Sequence, residues 1–205
     1  MEIACLDLEG VLVPEIWIAF AEKTGIEALK KTTRDEPDYD VLMRYRLDIL
    51  REHGLGLNEI QEVIATLEPL PGAIEFVDWL RERFQVVILS DTFYEFASPL
   101  MKQLGYPTLL CHKLEAAEDG TVIDYHLRQA NPKRQAVVGF KSMYYRTIAA
   151  GDSYNDTTML AEADVGILFH APENVIAEFP QFPAVQSFAD LKSEFIRASN
   201  RELSL

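Results

Sequence analysis

The sequence predicts an α/β fold of the doubly wound type, a Rossmann-like sheet of mainly parallel strands with helices on both faces. The first observation is a set of short apolar runs that end abruptly in polar residues, as strands buried on both faces do. The second is the helical periodicity of the segments between these runs, which is the alternation that a parallel sheet requires. The runs cover residues 3–6, 86–89, 147–151 and 165–169.

The first run is followed by a segment of different character. Residues 14–70 contain no strand-like run but show three amphipathic helical stretches. These stretches lie around Glu15–Lys23, Tyr39–His53 and Asn58–Leu67. We expect them to form a small helical cap, inserted after the first strand, over the carboxyl edge of the sheet. The predicted domains are an α/β core of residues 1–13 and 71–205 and a cap of residues 14–70.

Turn and cap signals divide the remainder of the chain. Helices are expected after Pro71-Gly72, from Asn131-Pro132, over Asp156–Ala163 and over residues 188–196. Proline suits the first turn of a helix, and polar residues before a helical pattern are typical caps. A second, shorter insert at residues 111–125 contains a hairpin-like turn at Glu118–Thr121.

Composition bounds the function. The chain has 205 residues, 48% of them hydrophobic, and a formal net charge of −14. An acidic surface repels nucleic-acid phosphates and anionic lipids, so neither nucleic acid nor a membrane is an expected partner. Cys5 and Cys111 cannot form a disulfide framework, and no apolar run approaches the roughly 18 residues of a membrane span. We expect a cytoplasmic monomer or homodimer without a signal peptide.

Polar side chains follow three of the predicted strands. They are Asp7, Ser90 and Asp152. Ligands of open α/β sheets bind at the edge where the carboxyl ends of the strands meet. Taken singly, each residue also has a structural interpretation, because aspartate is common in turns, serine caps helices, and Lys133 could be a surface lysine. The ordered set is therefore more informative than any member.

Four separate motifs of the chain resemble those of the haloacid dehalogenase superfamily of phosphotransferases. They are Asp-x-Glu-Gly-Val at 7–11, Ser90, Lys133 and Gly-Asp-x-x-x-Asp at 151–156. In that superfamily the motifs occur in this order at strand ends, and a cap can follow the first strand. The resemblance covers nearly the whole chain.

The resemblance implies phosphoryl transfer through an aspartyl-phosphate. Asp7 is then the nucleophile, and Glu9 protonates the leaving alcohol and deprotonates the incoming acceptor. Ser90 hydrogen-bonds a phosphate oxygen, and Lys133 screens the charge between Asp7 and the phosphoryl group. The implied cofactor is Mg²⁺, a cation that prefers oxygen ligands. Its expected ligands are Asp7, the carbonyl of Glu9, Asp152 and, through a water or as an orienting group, Asp156.

Two departures from the usual phosphatase pattern make the predicted activity more specific. Glu9 stands at a position where the superfamily's phosphatases usually carry Asp and its dehalogenases lack an acid. A carboxylic acid there favours phosphoryl transfer over hydrolysis of a carbon–halogen bond. Ser90-Asp91-Thr92-Phe93 stands where phosphoserine phosphatases show Ser-Gly-Gly-Phe, so Asp91 and Thr92 are expected beside the phosphate. Together the departures resemble the branch of bifunctional phosphoserine phosphatases that also transfer the phosphoryl group to homoserine.

The implied substrate is a small phosphorylated amino acid, with water or the alcohol homoserine as acceptor. Glu15 could pair with its ammonium group or complement a helix dipole, and Asn155 could contact substrate or cap a helix. Arg46 lies in an apolar stripe, where its charge needs a partner such as a substrate carboxylate unless it reaches solvent. Arg44 and Arg51 are expected at the surface.

Two alternatives remain open at this level. The same fold could act on another small phosphomonoester, such as an ethanolamine, choline or sugar phosphate. A non-catalytic phosphate-sensing module is the other alternative. Against it, a receiver-like module has no counterpart of the cap and no acid suited to leaving-group protonation at Glu9.

Overall fold

A computed structural model describes residues 1–32, 35, 36 and 38–203. The strands are β1 (Glu2–Leu6), β2 (Gln85–Phe93), β3 (Thr108–Ala116), β4 (Val122–His126), β5 (Arg146–Gly151), β6 (Val165–Phe169) and β7 (Ala184–Val185). The helices are α1 (Ile16–Thr24), α2 (Tyr39–Glu52), α3 (Leu57–Ile64), α4 (Ala73–Arg81), α5 (Tyr94–Gln103), α6 (Pro132–Ser142), α7 (Thr157–Glu162), α8 (Glu173–Glu178) and α9 (Phe188–Ala198). Short 3-10 turns cover Glu27–Lys30 and Tyr154–Asp156.

The strands form a single mainly parallel sheet, which confirms the predicted doubly wound α/β architecture. Their order is β4-β3-β2-β1-β5-β6-β7, and in the part of the chain that the structure describes only the strands β3 and β4 pair antiparallel. β1 lies at the centre, where Leu6 is in register with Ile88 of β2 and with Ala150 of β5. The residues that follow these three positions therefore meet at one edge of the sheet.

The central strand is buried on both faces, as its continuous apolar run predicts. Ala4 and Leu6 contribute to the hydrophobic cluster on one face, and Ile3 and Cys5 contribute to the cluster on the other. Because successive strand side chains point to opposite faces, an uninterrupted apolar run serves both layers of helices. The sheet is thus a rigid platform for the residues at its carboxyl edge.

The segment between β1 and α4 is helical. It contains α1, α2 and α3, and its strand-like pairing in the described residues is the isolated bridge between Glu9 and Val13. Buried side chains of these helices, such as Phe20, Leu47 and Ile60, belong to the same hydrophobic cluster as Leu6. The segment therefore packs directly against the α/β layer. The division of the chain into a core and a separate cap of residues 14–70 stays a prediction.

Two features differ from the sequence pattern. β2 continues through Ser90 to Phe93, because its pairing with β3 shifts register after Leu89 and resumes at the pair Phe93–His112. The predicted turn at 118–121 joins the hairpin of β3 and β4, and β3 begins at Thr108, before the predicted insert at 111–125. Among the described residues, no helix is both long and apolar enough to cross a membrane.

Candidate active site

Side chains from three neighbouring strands meet at the carboxyl edge of the sheet. Asp7 directly follows β1, Ser90 lies towards the end of β2, and Asp152 directly follows β5. The Asp7 N–H donates to the carbonyl oxygen of Ala150 at 3.0 Å, so the strand pairing continues up to the acidic residue. Asp7 and Ser90 are both buried. The edge predicted from sequence is thus where the structure brings these residues together.

Lys133 is the cation of this cluster. Its Nζ lies 2.8 Å from Asp7 Oδ1, 2.7 Å from Asp156 Oδ1 and 3.6 Å from Asp91 Oδ2. It occupies the first turn of α6, directly after Pro132, and only 3% of it is exposed. Burial alone lowers the pKa of Lys133, but the three carboxylates outweigh it and hold that pKa well above its usual value. The lysine is therefore a permanent positive charge beside Asp7.

Three carboxylates lie close to one another at this edge of the sheet. Asp7, Asp152 and Asp156 each have an oxygen within 4.8 Å of the other two. Burial, followed by repulsion from Asp156, raises the pKa of Asp7 well above its usual value even though Lys133 opposes the shift. The same two causes raise the pKa of Asp152 to about 7. One lysine does not neutralise the cluster, and hard oxygen ligands of this kind suit Mg²⁺.

Asp156 is held by the protein on both of its oxygens. Oδ1 accepts from Lys133, and Oδ2 accepts from the N–H groups of Asp152 at 2.9 Å and Ser153 at 3.1 Å. A buried carboxylate with these partners fixes both the loop after β5 and the lysine. These bonds are consistent with the orienting role expected for Asp156, and its part in holding a metal stays a prediction.

Two glycines allow this crowding. A Cβ on Gly10 would lie 2.4 Å from Asp152 Oδ2, and the φ of Gly10 is +76°, a conformation that side chains disfavour. A Cβ on Gly151 would lie 2.4 Å from the Cβ of Asp156. The glycines of the first and last motifs are therefore required by the close approach of the acidic side chains.

Glu9 connects the sheet edge to the helical segment. Its Oε2 accepts the N–H of Ile16, the first residue of α1, at 2.8 Å. Burial, followed by repulsion from Glu15, raises the pKa of Glu9 to about 7 despite this hydrogen bond. A carboxyl group with that pKa can donate a proton and take one up near neutrality.

Ser90, Asp91 and Thr92 form the next part of the edge. Ser90 Oγ accepts the N–H of Thr92 at 3.2 Å, and both residues are buried. Asp91 Oδ2 accepts from Asn155 Nδ2 at 3.0 Å, which brings two predicted substrate-binding residues together. Burial raises the pKa of Asp91, but the charge of Lys133 and the hydrogen bond from Asn155 lower it by a larger amount, so the pKa of Asp91 is below its usual value. Asp91 is therefore ionised where it faces the lysine.

His112 and Tyr39 support Asp91 and were missed by sequence reasoning. His112 Nδ1 accepts the N–H of Arg128 at 3.1 Å, and Nε2 faces Asp91 Oδ1 at 3.7 Å. The Tyr39 hydroxyl donates to the carbonyl oxygen of Asp91 at 3.2 Å. Burial lowers the pKa of His112. The one sequence signal was a histidine after an apolar run, which is equally typical of a core residue.

The arginines of α2 differ in burial, as their positions in the helical pattern predicted. Arg46 is 7% exposed, whereas Arg44 and Arg51 are exposed and pair with aspartates. Burial lowers the pKa of Arg46 to about 10, although the charges of Tyr39, Glu9 and Glu15 oppose that shift. Arg46 is therefore a buried cation that is attracted electrostatically to Glu9 and Glu15. Glu15 is exposed at the start of α1, and its side chain does not cap that helix.

Comparison with known protein families identifies the class to which this fold, with its acidic cluster and buried lysine at the carboxyl edge of the sheet, belongs. The family model of the haloacid dehalogenase-like hydrolases matches residues 1–164. The chain belongs to this family. The resemblance carried by the four motifs is thereby confirmed.

Individual relatives are more specific. Over 205 residues and the full length of both chains, the protein is 78% identical to phosphoserine phosphatase ThrH of Pseudomonas aeruginosa. It is 76% identical to a phosphoserine phosphatase of Pseudomonas syringae pv. tomato, with all of this chain and 86% of the relative covered. A solved phospho-aspartyl intermediate analogue of phosphoserine phosphatase has a TM-score of 0.76 at 19% identity, covering 94% of this chain and 98% of that one, which shows a shared fold.

Proposed function

We infer that the protein is a Mg²⁺-dependent phosphoserine phosphatase that can also pass the phosphoryl group to homoserine. The observation that carries this proposal is the buried contact of Lys133 with Asp7 at the edge of the sheet, beside an acidic cluster with excess negative charge. High identity to proteins named phosphoserine phosphatase supports the choice of substrate. The name ThrH of one relative accords with the homoserine branch.

In the first step, a carboxylate oxygen of Asp7 attacks the phosphorus of phosphoserine. The bond from phosphorus to the serine oxygen breaks, and that oxygen takes a proton from the carboxyl group of Glu9. Serine leaves, and the phosphoryl group remains on Asp7 as an acyl phosphate. Lys133 balances charge between Asp7 and the phosphoryl oxygens, while the Ser90 hydroxyl donates to one of them.

In the second step, Glu9 takes a proton from the acceptor. The acceptor is water or the hydroxyl group of homoserine, and its oxygen attacks the phosphorus of the acyl phosphate. Asp7 is released as a carboxylate, and the product is inorganic phosphate or phosphohomoserine. A carboxyl group with a pKa near 7 suits both steps, because it must be an acid in the first and a base in the second.

The acidic cluster accounts for the cofactor. Asp7, Asp152 and the carbonyl oxygen of Glu9 would hold Mg²⁺, with Asp156 keeping the loop and Lys133 in place. When bound, the ion supplies positive charge that lets an anionic carboxylate approach an anionic phosphate ester. The raised pKa values of Asp7 and Asp152 support a need for such charge.

Charge on the helical segment accounts for the amino-acid part of the substrate. Arg46 suits the carboxylate of phosphoserine, and Glu15 suits its ammonium group. On the sheet side, the proposed neighbours of the phosphate are Asn155, Asp91 and Thr92, a choice supported by the bond of Asn155 to Asp91 and by the approach of Asp91 to Lys133. This arrangement favours phosphoserine over phosphoethanolamine, phosphocholine or a sugar phosphate, none of which carries the same pair of charges.

Product analysis tests the proposal. The protein is incubated with phosphoserine and Mg²⁺, with and without homoserine, and inorganic phosphate is resolved from phosphohomoserine. We expect serine and phosphate without homoserine, and phosphohomoserine in addition when it is present. Failure to form either product contradicts the proposal. Release of phosphate from another of the three phosphomonoesters alone would select that substrate, and Mg²⁺-dependent beryllofluoride binding without turnover would indicate a phosphate sensor.

Arg46→Ala is expected to raise the KM for phosphoserine by about 10- to 100-fold, because a buried charge-assisted contact to the carboxylate is lost. The kcat should change much less, since the proposed contact of Arg46 is with the carboxylate and not with the bonds that break. Steady-state kinetics measure both constants. Arg44→Ala, on the exposed side of the same helix, is the matched control and should leave them unchanged. Unaltered phosphoserine kinetics in Arg46→Ala would show that the carboxylate binds elsewhere.

A further inference from the structure

Arg46 is held against an aromatic ring. Its guanidinium carbon lies 4.5 Å from the ring centroid of Trp17, across the contact between α2 and α1. One of its terminal nitrogens donates to the carbonyl oxygen of Lys31 at 2.9 Å, and the other contacts Met43 Sδ at 3.8 Å. A guanidinium over an indole gains a cation–π interaction through its face, and its N–H groups donate in its plane, as the bond to Lys31 does. The ring therefore restricts the directions in which Arg46 can donate.

Trp17 is itself fixed. It is 9% exposed, and its ring makes edge contacts with Phe96 at 5.1 Å and with Phe20 at 6.4 Å. Phe96 belongs to α5, which follows directly from the strand that carries Ser90. The residue before Trp17 donates its N–H to Glu9. The indole thus connects the arginine of the helical segment to the catalytic edge of the sheet through packed side chains.

Arg46 also has an unsatisfied donor. Among the described residues, its Nε is buried and has no hydrogen-bond partner. An unpaired N–H on a buried charge is costly, and a ligand oxygen in the plane of the guanidinium would satisfy it. A carboxylate has two oxygens in the spacing that a guanidinium edge can bind together.

We propose that Trp17 is a positioning residue that holds the Arg46 guanidinium in the plane needed to select a phosphomonoester carrying a carboxylate. This inference rests on the proposed function, since it concerns how phosphoserine is distinguished from phosphoethanolamine, which lacks the carboxylate. Trp17 contacts the arginine and acts on the substrate through it. The opposing interpretation is that Trp17 only fills the core.

The test is the ratio of kcat/KM for phosphoserine to that for phosphoethanolamine. Trp17→Leu should lower this ratio about tenfold, through a higher KM for phosphoserine, because the arginine loses its stacking partner. Trp17→Phe keeps a ring face and should restore most of the ratio. A core-filling residue would instead lower the activity on both substrates alike, and an unchanged ratio in Trp17→Leu overturns the proposal.

The chain offers a matched control. Trp79 is also 9% exposed and also stacks with an arginine, the Arg83 guanidinium carbon lying 4.7 Å from its ring centroid. It lies near the end of α4, which leads to the amino end of β2. Trp79→Leu should lower stability to a similar extent but leave the substrate ratio unchanged. A reduced substrate ratio in Trp79→Leu would show that a general loss of stability is enough to lower the preference for phosphoserine, and would contradict the proposal.

A second measurement applies even where Trp17→Leu does not fold. In an Asp7→Asn, Trp79→Phe background Trp17 is the sole tryptophan, and its fluorescence reports on the stacked guanidinium. Phosphoserine should change this emission at concentrations where phosphoethanolamine does not. Equal responses, or none, would contradict the proposal.

Failure of this inference is distinguishable from failure of the proposed function. If Arg46→Ala removes the preference for phosphoserine and Trp17→Leu does not, the substrate assignment stands and the positioning role falls. If Arg46→Ala leaves the preference intact, the carboxylate site itself is wrongly placed.

Discussion

Replacing Asp7 by Asn is expected to lower kcat for hydrolysis and for transfer to homoserine by at least about 10⁴-fold, because an amide cannot form the acyl phosphate. Folding should persist, since Lys133 keeps its contacts with Asp156 and Asp91. Release of phosphate and formation of phosphohomoserine are measured at saturating phosphoserine, with circular dichroism as a check on the fold.

The matched control for this change is Asp164→Asn. Asp164 lies before β6 and accepts the N–H of Thr147 near the start of β5, at the opposite edge of the sheet. An Asn oxygen can accept the same bond, so activity should stay at the level of the unaltered protein. Turnover of Asp7→Asn within tenfold of that level would exclude a nucleophilic role for Asp7.

Replacing Glu9 by Gln should lower kcat on phosphoserine by about 10²- to 10⁴-fold, the range expected for loss of a general acid. The loss of kcat/KM, which reports on formation of the acyl phosphate, should be much smaller on p-nitrophenyl phosphate, whose leaving group needs little protonation. The amide can no longer take a proton from water or homoserine, so the second step should become limiting for the activated ester. Comparison of kcat/KM for the two substrates under identical conditions measures the difference, and equal losses of kcat/KM on both would contradict the role of leaving-group acid.

The same residue determines a pH dependence. Burial and Glu15 raise the pKa of Glu9 to about 7, so the protonated acid required by the first step is depleted as the pH rises through that value. The kcat/KM of the unaltered protein should therefore fall on the alkaline side of about pH 7, and this limb should be absent in Glu9→Gln. A limb that persists in Glu9→Gln would assign it to another group.

The main features of the site could be predicted because parallel strands deliver their ends to one edge. Asp7, Ser90 and Asp152 are far apart in the sequence, yet each ends or follows an apolar run, and the sheet places them together. Lys133 was found through the resemblance of the ordered motifs, because a lysine at a helix start is by itself typical of the surface. The placement of the strand-end residues depends on local pattern and sheet topology, which a single sequence contains.

Other contacts could not be predicted because they depend on how elements pack. The approach of His112 to Asp91 requires the register shift between β2 and β3, which no local pattern encodes. The stacking of Trp17 on Arg46 requires α1 and α2 to meet at a particular angle. The bond from Ile16 N–H to Glu9 requires the longer side chain to reach the start of α1. In each case the residue type was visible, but its partner was not.

The central claim is that the phosphoryl group of phosphoserine passes through Asp7. The most direct test is to mix the protein with phosphoserine and Mg²⁺, stop the reaction with acid during turnover, digest the chain and locate the added phosphoryl group by mass spectrometry. The account predicts that it lies on the amino-terminal peptide, at Asp7, and that homoserine lowers its amount while phosphohomoserine forms. Steady turnover of phosphoserine with the phosphoryl group on another residue, or on none, would contradict it.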